Sequence, residues 1–288
     1  MNPESERPCL VCKSEDTPDC FEPGPPRINR CRGCGFMWTV PDHTAEEQDQ
    51  FFENEYIDDE QRAEEDFGHI RRATLAREAG AIGRLRPDGG RLLDVGCASG
   101  EFLVHMRGQP GWRVEGLEPS SFAARHARER HGLDVTQGTL ATARWPDRTF
   151  DVITVLDVIG LWRDPEAEFD AISRLLVPRG LLAIEIPCLR FRLLKNSGPI
   201  ARAVYGRRTQ LNQRIHLHFW SRRMLGVQLA RHGFREVFAQ PEQSPVYGSP
   251  PLRVLNHIYY TTTAAAYRAS RGAIPLVPKE FLVYELRP

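Results

Sequence analysis

The chain has 288 residues, enough for one domain of good size plus a small accessory unit. Its 38 basic and 38 acidic side chains cancel to a formal net charge of zero, which excludes wholesale electrostatic attraction to nucleic acid or an anionic membrane. There is no run of eighteen apolar residues, and an N-terminus with Pro, Glu, Ser and Arg is not that of a signal peptide. A cytoplasmic protein with no membrane segment is expected.

Residues 1–40 are dominated by two knuckles, Cys9-x-x-Cys12 and Cys31-x-x-Cys34, with eighteen residues between them. Two such pairs supply four thiolates for tetrahedral zinc, and Gly33 and Gly35 give the second knuckle the tight turn that sulfur ligation needs. The alternative, a disulfide, suits secreted chains. Residues 1–40 are therefore read as a zinc-ribbon-like unit with Cys9, Cys12, Cys31 and Cys34 as metal ligands. The metal's role is structural, because four cysteines leave no open coordination position. Cys20 is a bystander between the knuckles, and Phe21–Pro26 is the unit's loop.

Residues 41–88 read as a helical linker or lid. Acidic side chains dominate from Asp42 to Asp66, with Arg62 the lone base. Phe51, Phe52 and Tyr56 cluster in one helix, while Phe67, Ile70, Leu75, Ile82 and Leu85 recur at roughly helical spacing in the next. Pro87-Asp88-Gly89-Gly90 then breaks the chain. Residues 89–288 alternate strands and helices, so an α/β fold is expected: a doubly wound, mostly parallel sheet with helices on both faces.

The most informative stretch is Leu92-Leu93-Asp94-Val95-Gly96-Cys97-Ala98-Ser99-Gly100, a buried strand turning into a small-residue loop before a helix at Glu101–Arg107. Small residues let backbone approach a ligand closely. A second strand ends in Glu118, twenty-four residues after Asp94, where a carboxylate can accept from ribose hydroxyls. A dehydrogenase fingerprint would need a glycine where Glu101 stands. Further strands are expected at Asp134–Gln137, Phe150–Ile159, Leu181–Pro187, Gly233–Phe238 and Phe281–Leu286. Asp164 can cap a helix whose first residue is Pro165 and whose core stripe is Phe169, Ile172 and Leu176. Cys97 and Cys188, at strand ends, are read as packing residues.

Over about residues 90 to 240 these motifs resemble the class I S-adenosylmethionine-dependent methyltransferases, and the N-terminal unit resembles that of methyltransferases from sugar and secondary-metabolite pathways. The resemblance implies a seven-stranded sheet ending in an antiparallel hairpin. It implies that S-adenosylmethionine binds along Asp94, Gly96, Cys97, Ala98 and Gly100, with Glu118 and Pro119 at the ribose, Thr139 and Leu140 beside adenine, and Asp157 at the methionine end. Ala98 stands where many relatives have glycine, and its methyl is tolerable if the backbone there stays at negative φ. The family's acidic residue on the adenine side is absent. So is a Glu-His pair after the fourth strand, replaced by Gly160-Leu161.

Residues 189–223 read as an acceptor-side insertion. From Arg190 to Arg223 there are nine basic residues and no acid, which suggests an anionic acceptor such as a phosphate-linked sugar or a carboxylate, with Arg207, Arg208 and Arg214 as clamps. His216 and His218 are the candidates for a general base, and i,i+2 spacing puts both on one face of an extended segment. Tyr56 and Tyr205 are further lid candidates. The expected activity is methyl transfer to a small molecule. The alternatives are an RNA methyltransferase gripping its substrate through the zinc unit, and a non-catalytic scaffold on the same fold.

Overall fold

A computed structural model describes residues 8–16, 18–22, 27–54, 56–196, 211, 216–243 and 250–288 of the chain. Three short strands form the N-terminal unit: β1 (Asp19–Glu22), β2 (Arg27–Arg30) and β3 (Met37–Val40). Helix α1 (Ala45–Asn54) starts at a reciprocal capping box, in which the Thr44 amide donates to Glu47 and the Glu47 amide donates to the Thr44 hydroxyl. Helix α2 (Tyr56–Leu85) follows, and its C-terminal half presents Leu75, Ala79 and Ile82 to the sheet.

The sheet begins with β4 (Gly90–Val95), α3 (Glu101–Arg107), β5 (Trp112–Glu118), α4 (Ser121–His131) and β6 (Asp134–Gln137). The chain then returns through β7 (Phe150–Leu156), α5 (Pro165–Leu175) and β8 (Leu176–Pro187). Helix α5 is capped by the Asp164 carboxylate, which accepts from the Ala167 amide, with Pro165 in the first turn. Helix α6 (Leu189–Asn196), strand β9 (His218–Phe219) and α7 (Arg222–Arg231) lead to β10 (Phe234–Glu242), α8 (Pro250–Ala269) and β11 (Lys279–Leu286).

Seven strands lie in the order β10-β11-β8-β7-β4-β5-β6. β4 to β8 run parallel, and β11 is antiparallel to both β8 and β10. The two-residue period of a strand divides the core between the faces. Leu93, Ile153, Leu182 and Ile184 pack on one side with Phe169 and Ile172, while Leu92, Val152, Leu181 and Ala183 pack on the other with Leu75 and Ile82.

The last two strands do not form a hairpin. They pair antiparallel, but α8 separates them in sequence, and β11 inserts between β8 and β10. A second departure is that the N-terminal sheet has four strands, in the order β1-β2-β3-β9, because His218–Phe219 from the far insertion pairs with β3. Among the described residues no helix is long and apolar enough to cross a membrane.

Candidate active site and zinc knuckles

The strand order reverses between β5 and β7 on either side of β4, the position where open parallel sheets bind ligands. There the chain turns on Gly96 (φ +74), whose amide donates to Leu117 O at 2.7 Å. A Cβ at Gly96 would lie 2.6 Å from Val158 Cγ2, so glycine is required on steric as well as conformational grounds. Ala98 has φ +47, so the condition of negative φ is not met and the methyl sits on left-handed backbone. The reason is the Ala98 amide, which turns back to donate to Glu118 Oε2 at 2.9 Å. Gly100 (φ +83) ends the loop at the start of α3. Cys97 is buried, and its Sγ fills the space above Gly116, as expected of a packing residue.

Glu118 is buried, and its second oxygen accepts from the Ser120 amide at 2.9 Å. An ionised carboxylate accepts about four hydrogen bonds, so two backbone amides orient it without exhausting it. Asp94 is buried beneath the loop and accepts from the Thr154 hydroxyl at 2.6 Å. Burial pushes its pKa up to about 7, against the Thr154 hydrogen bond and with the help of the Glu118 charge.

On the adenine side, Pro119, Gly138 and Thr139 line a cavity of about 430 Å³ with Phe52 and Glu53 of α1. Glu53 fixes α1 there by accepting from the Ser121 amide at 2.8 Å and from its hydroxyl. Thr139 is exposed, and its amide is taken by the Thr142 hydroxyl at 2.9 Å; Leu140 belongs to the buried core.

Asp157, with φ +61, ends β7's turn and is held by Lys279 Nζ at 2.8 Å. Burial among its neighbours raises its pKa, but the Lys279 charge outweighs this and holds it below the usual carboxylate range. Lys279 also pairs with the buried Glu185, and despite its own burial these two carboxylates hold its pKa well above that of an ordinary lysine. Asp157, Gly160, Pro187, Arg192, His216 and Trp220 are among the residues that line a narrow cleft at the C-terminal ends of β7 and β8.

The segment carrying the two histidines is laced on both sides. Leu217 N and His218 N both donate to Gly160 O, at 2.7 and 3.1 Å. On the other side, Thr39 of β3 donates its amide to Leu217 O at 2.9 Å and its hydroxyl to His216 O at 2.7 Å. A Cβ at Gly160 would sit 3.1 Å from His216 Cδ2, so the Gly160-Leu161 departure makes room for this strap. The two rings differ in surroundings. His218 stacks on Phe36 at 5.9 Å and tilts against Trp220 at 6.2 Å, inside an aromatic cluster. His216 faces the field of Asp157 and Arg192, and its Nδ1 has no hydrogen-bond partner among the described residues. Burial lowers both pKa values to about 4, so both rings are neutral at pH 7.

The four knuckle cysteines place their Sγ atoms within 4.8 Å of one another, with Cys9–Cys34 at 3.6 Å and Cys12–Cys31 at 3.5 Å. Zn–S bonds of about 2.3 Å give a tetrahedron with edges of about 3.8 Å, so the cluster fits a structural zinc. Cys9, Val11 and Cys31 pack in the same core as Trp220 and Leu225, which seats the knuckles against the sheet domain.

The structure brings the expected loop, Glu118 and Asp157 to one end of the sheet and clusters the four knuckle cysteines, and it adds neighbours the sequence reading did not place there: Lys279, Glu185, Arg192, Thr39 and the α1 wall of Phe52 and Glu53. Lys279 lies 122 residues from Asp157, and no local pattern could have joined them. Tyr205, Arg207, Arg208 and Arg214 lie outside the described residues, as does the side chain of Tyr56, the first residue of α2.

The chain matches a family model described as a methyltransferase domain over residues 67–237, more than half its length. A search of curated proteins finds no match. Among solved structures, a SAM-dependent methyltransferase from Thermotoga maritima is 18% identical, with a TM-score of 0.56 over 84% of this chain and 100% of that one. A chain from the complex of the Haloferax volcanii Trm112 methyltransferase activator with a methyltransferase is 17% identical, with a TM-score of 0.55 over 84% and 98%. At such identities these likenesses speak for the fold, and the family match carries the chemistry. The chain belongs to the class I S-adenosylmethionine-dependent methyltransferases.

Proposed function

We propose that this methyltransferase acts on a small-molecule acceptor, an anionic sugar or secondary-metabolite intermediate, bound in the cleft beside Asp157 and His216. The observation that carries the reading is the cleft's position, narrow and mixed in charge, at the C-terminal ends of β7 and β8, the end of the sheet where open parallel sheets bind ligands. The residues present suit the cofactor. Glu118 takes the ribose hydroxyls, and the backbone of Gly96 to Gly100 cradles the amino-acid and ribose part. Asp94 and Asp157 face the methionine end, and Pro119, Thr139 and Leu140 flank adenine. Bound S-adenosylmethionine supplies a methyl already activated on sulfonium.

The chain's own work is alignment and water exclusion, which together account for much of the acceleration in a transfer of this kind. His216 is the proposed proton acceptor for the incoming hydroxyl or amine, because its neutral ring lines the cleft within the field of Asp157, whereas His218, whose Nδ1 is likewise unpartnered among the described residues, packs against Phe36 and Trp220. His218, engaged by Phe36 and Trp220, positions the strap. The zinc knuckles hold the wall of β3 against which the strap lies. An RNA acceptor is disfavoured by the zero net charge and by the mixed charge of the N-terminal unit.

Calorimetric titration with S-adenosylhomocysteine tests the pocket. Micromolar binding is expected for the zinc-replete protein, weakened at least tenfold by Glu118→Ala. Absence of binding by well-folded wild type would favour a non-catalytic scaffold instead.

A further inference from the structure

Arg192 is a half-buried guanidinium on α6 that lines the same cleft as Asp157 and His216. Its Nη2 donates to Leu211 O at 2.8 Å, and its guanidinium carbon lies 5.9 Å from the centroid of the Phe219 ring. Among the described residues no carboxylate pairs with it. Asp157, the acid whose charge it senses, is taken by Lys279 at 2.8 Å. The insertion around it cannot supply a counter-charge, since Arg190 to Arg223 contains no Asp or Glu. His216 is neutral at pH 7 and adds no charge of either sign.

A guanidinium withdrawn from water without an ionic partner is costly, and natural structures pair such groups. A guanidinium has five N–H donors in a planar fork, and the Leu211 carbonyl takes only one of them. That fork matches two oxygens of a carboxylate or phosphoryl group. We propose that Arg192 is the anion seat of the acceptor cleft: the methyl acceptor carries a carboxylate or phosphoryl group that Arg192 grips, which sets the end of the molecule presented to His216. This rests on the methyltransferase reading of the cleft and names the chemistry of its substrate.

The test is calorimetric titration of the full-length, zinc-replete protein, saturated with S-adenosylhomocysteine, at constant ionic strength. Inorganic phosphate and acetate are the two probes, and the stronger binder tells phosphoryl from carboxylate. Saturable binding of at least one is expected, weakened tenfold or more in Arg192→Gln and about threefold in Arg192→Lys, which keeps the charge and loses the fork. Arg190→Gln, at an exposed position, should bind as wild type does. S-adenosylhomocysteine affinity within twofold of wild type verifies each variant's fold; should Arg192→Gln fail that check, Arg192→Lys decides. No saturable anion binding by wild type, or binding indifferent to Arg192, overturns the proposal. Failure to bind S-adenosylhomocysteine overturns the underlying reading instead.

Discussion

Alanine substitutions at Gly100 and Gly132 separate the two reasons a glycine is needed in this fold. Both residues have left-handed backbone, φ +83 and +59. Alanine there costs about 1–2 kcal/mol in strain, of which about 0.4–1 kcal/mol returns through a stiffer unfolded chain. Their surroundings differ. A Cβ on Gly132 meets nothing within 4 Å, whereas one on Gly100 would overlap Leu133 Cδ1 and lie 3.2 Å from Ala127 Cβ. Leu133 is 5% exposed and Ala127 0%, so relief requires moving a packed side chain or the loop itself. Overpacking of that kind adds about 1–3 kcal/mol. Gly132→Ala should therefore lose about 1 kcal/mol and Gly100→Ala about 3 kcal/mol, read from urea midpoints at unchanged m-value. Titration with S-adenosylhomocysteine should show more than tenfold weaker binding for Gly100→Ala, because its loop is the proposed cradle, and no change for Gly132→Ala. Equal stability losses, or an intact affinity in Gly100→Ala, would refute the packing argument.

Asp94 titrates near 7 in the fold against about 4 in the unfolded chain. The native state keeps this proton longer, so its stabilising contribution is full below about pH 4 and lost as pH climbs through 7, on the order of 4 kcal/mol at most. Asp94→Asn should flatten the stability profile between about pH 4 and 7; an unchanged slope would count against the burial effect. Chelating the knuckle metal should speed amide exchange in residues 216–219, which lean on β3, while leaving S-adenosylhomocysteine affinity within about twofold. Unaltered exchange in that segment would show that the ribbon does not hold it. Lys279→Met removes the counter-charge of the buried Glu185 and should cost about 3 kcal/mol. Adding Glu185→Gln should recover part of it, and a single-variant loss below about 1 kcal/mol would contradict the pairing.

The parallel sheet, the loop and the zinc knuckles were legible in the chain because their signals are local. Apolar runs of strand length, glycines at positive φ and Cys-x-x-Cys pairs each declare themselves within a few residues. Asp164-Pro165 placed its helix for the same reason, since a cap and a fixed φ act within one turn. The sequence left the φ of Ala98 open, because its amide turns to a carboxylate twenty residues away. The last two strands pair antiparallel as expected but are not joined by a short turn, because α8 carries the chain around before β11 enters the sheet.

Sequence alone thus determined the fold class, the small-residue turn that leads from β4 toward Glu118, and the clustering of the four thiolates, all of which depend on short-range stereochemistry and ligand spacing. Tertiary structure alone decided that β9 joins the N-terminal sheet, that Gly160 and Thr39 clasp the histidine strap, and that Lys279 bridges Asp157 and Glu185. These contacts join residues far apart in the chain. Hydrogen bonds and ion pairs form wherever folding brings partners together, and their energies depend on burial that no single segment possesses by itself.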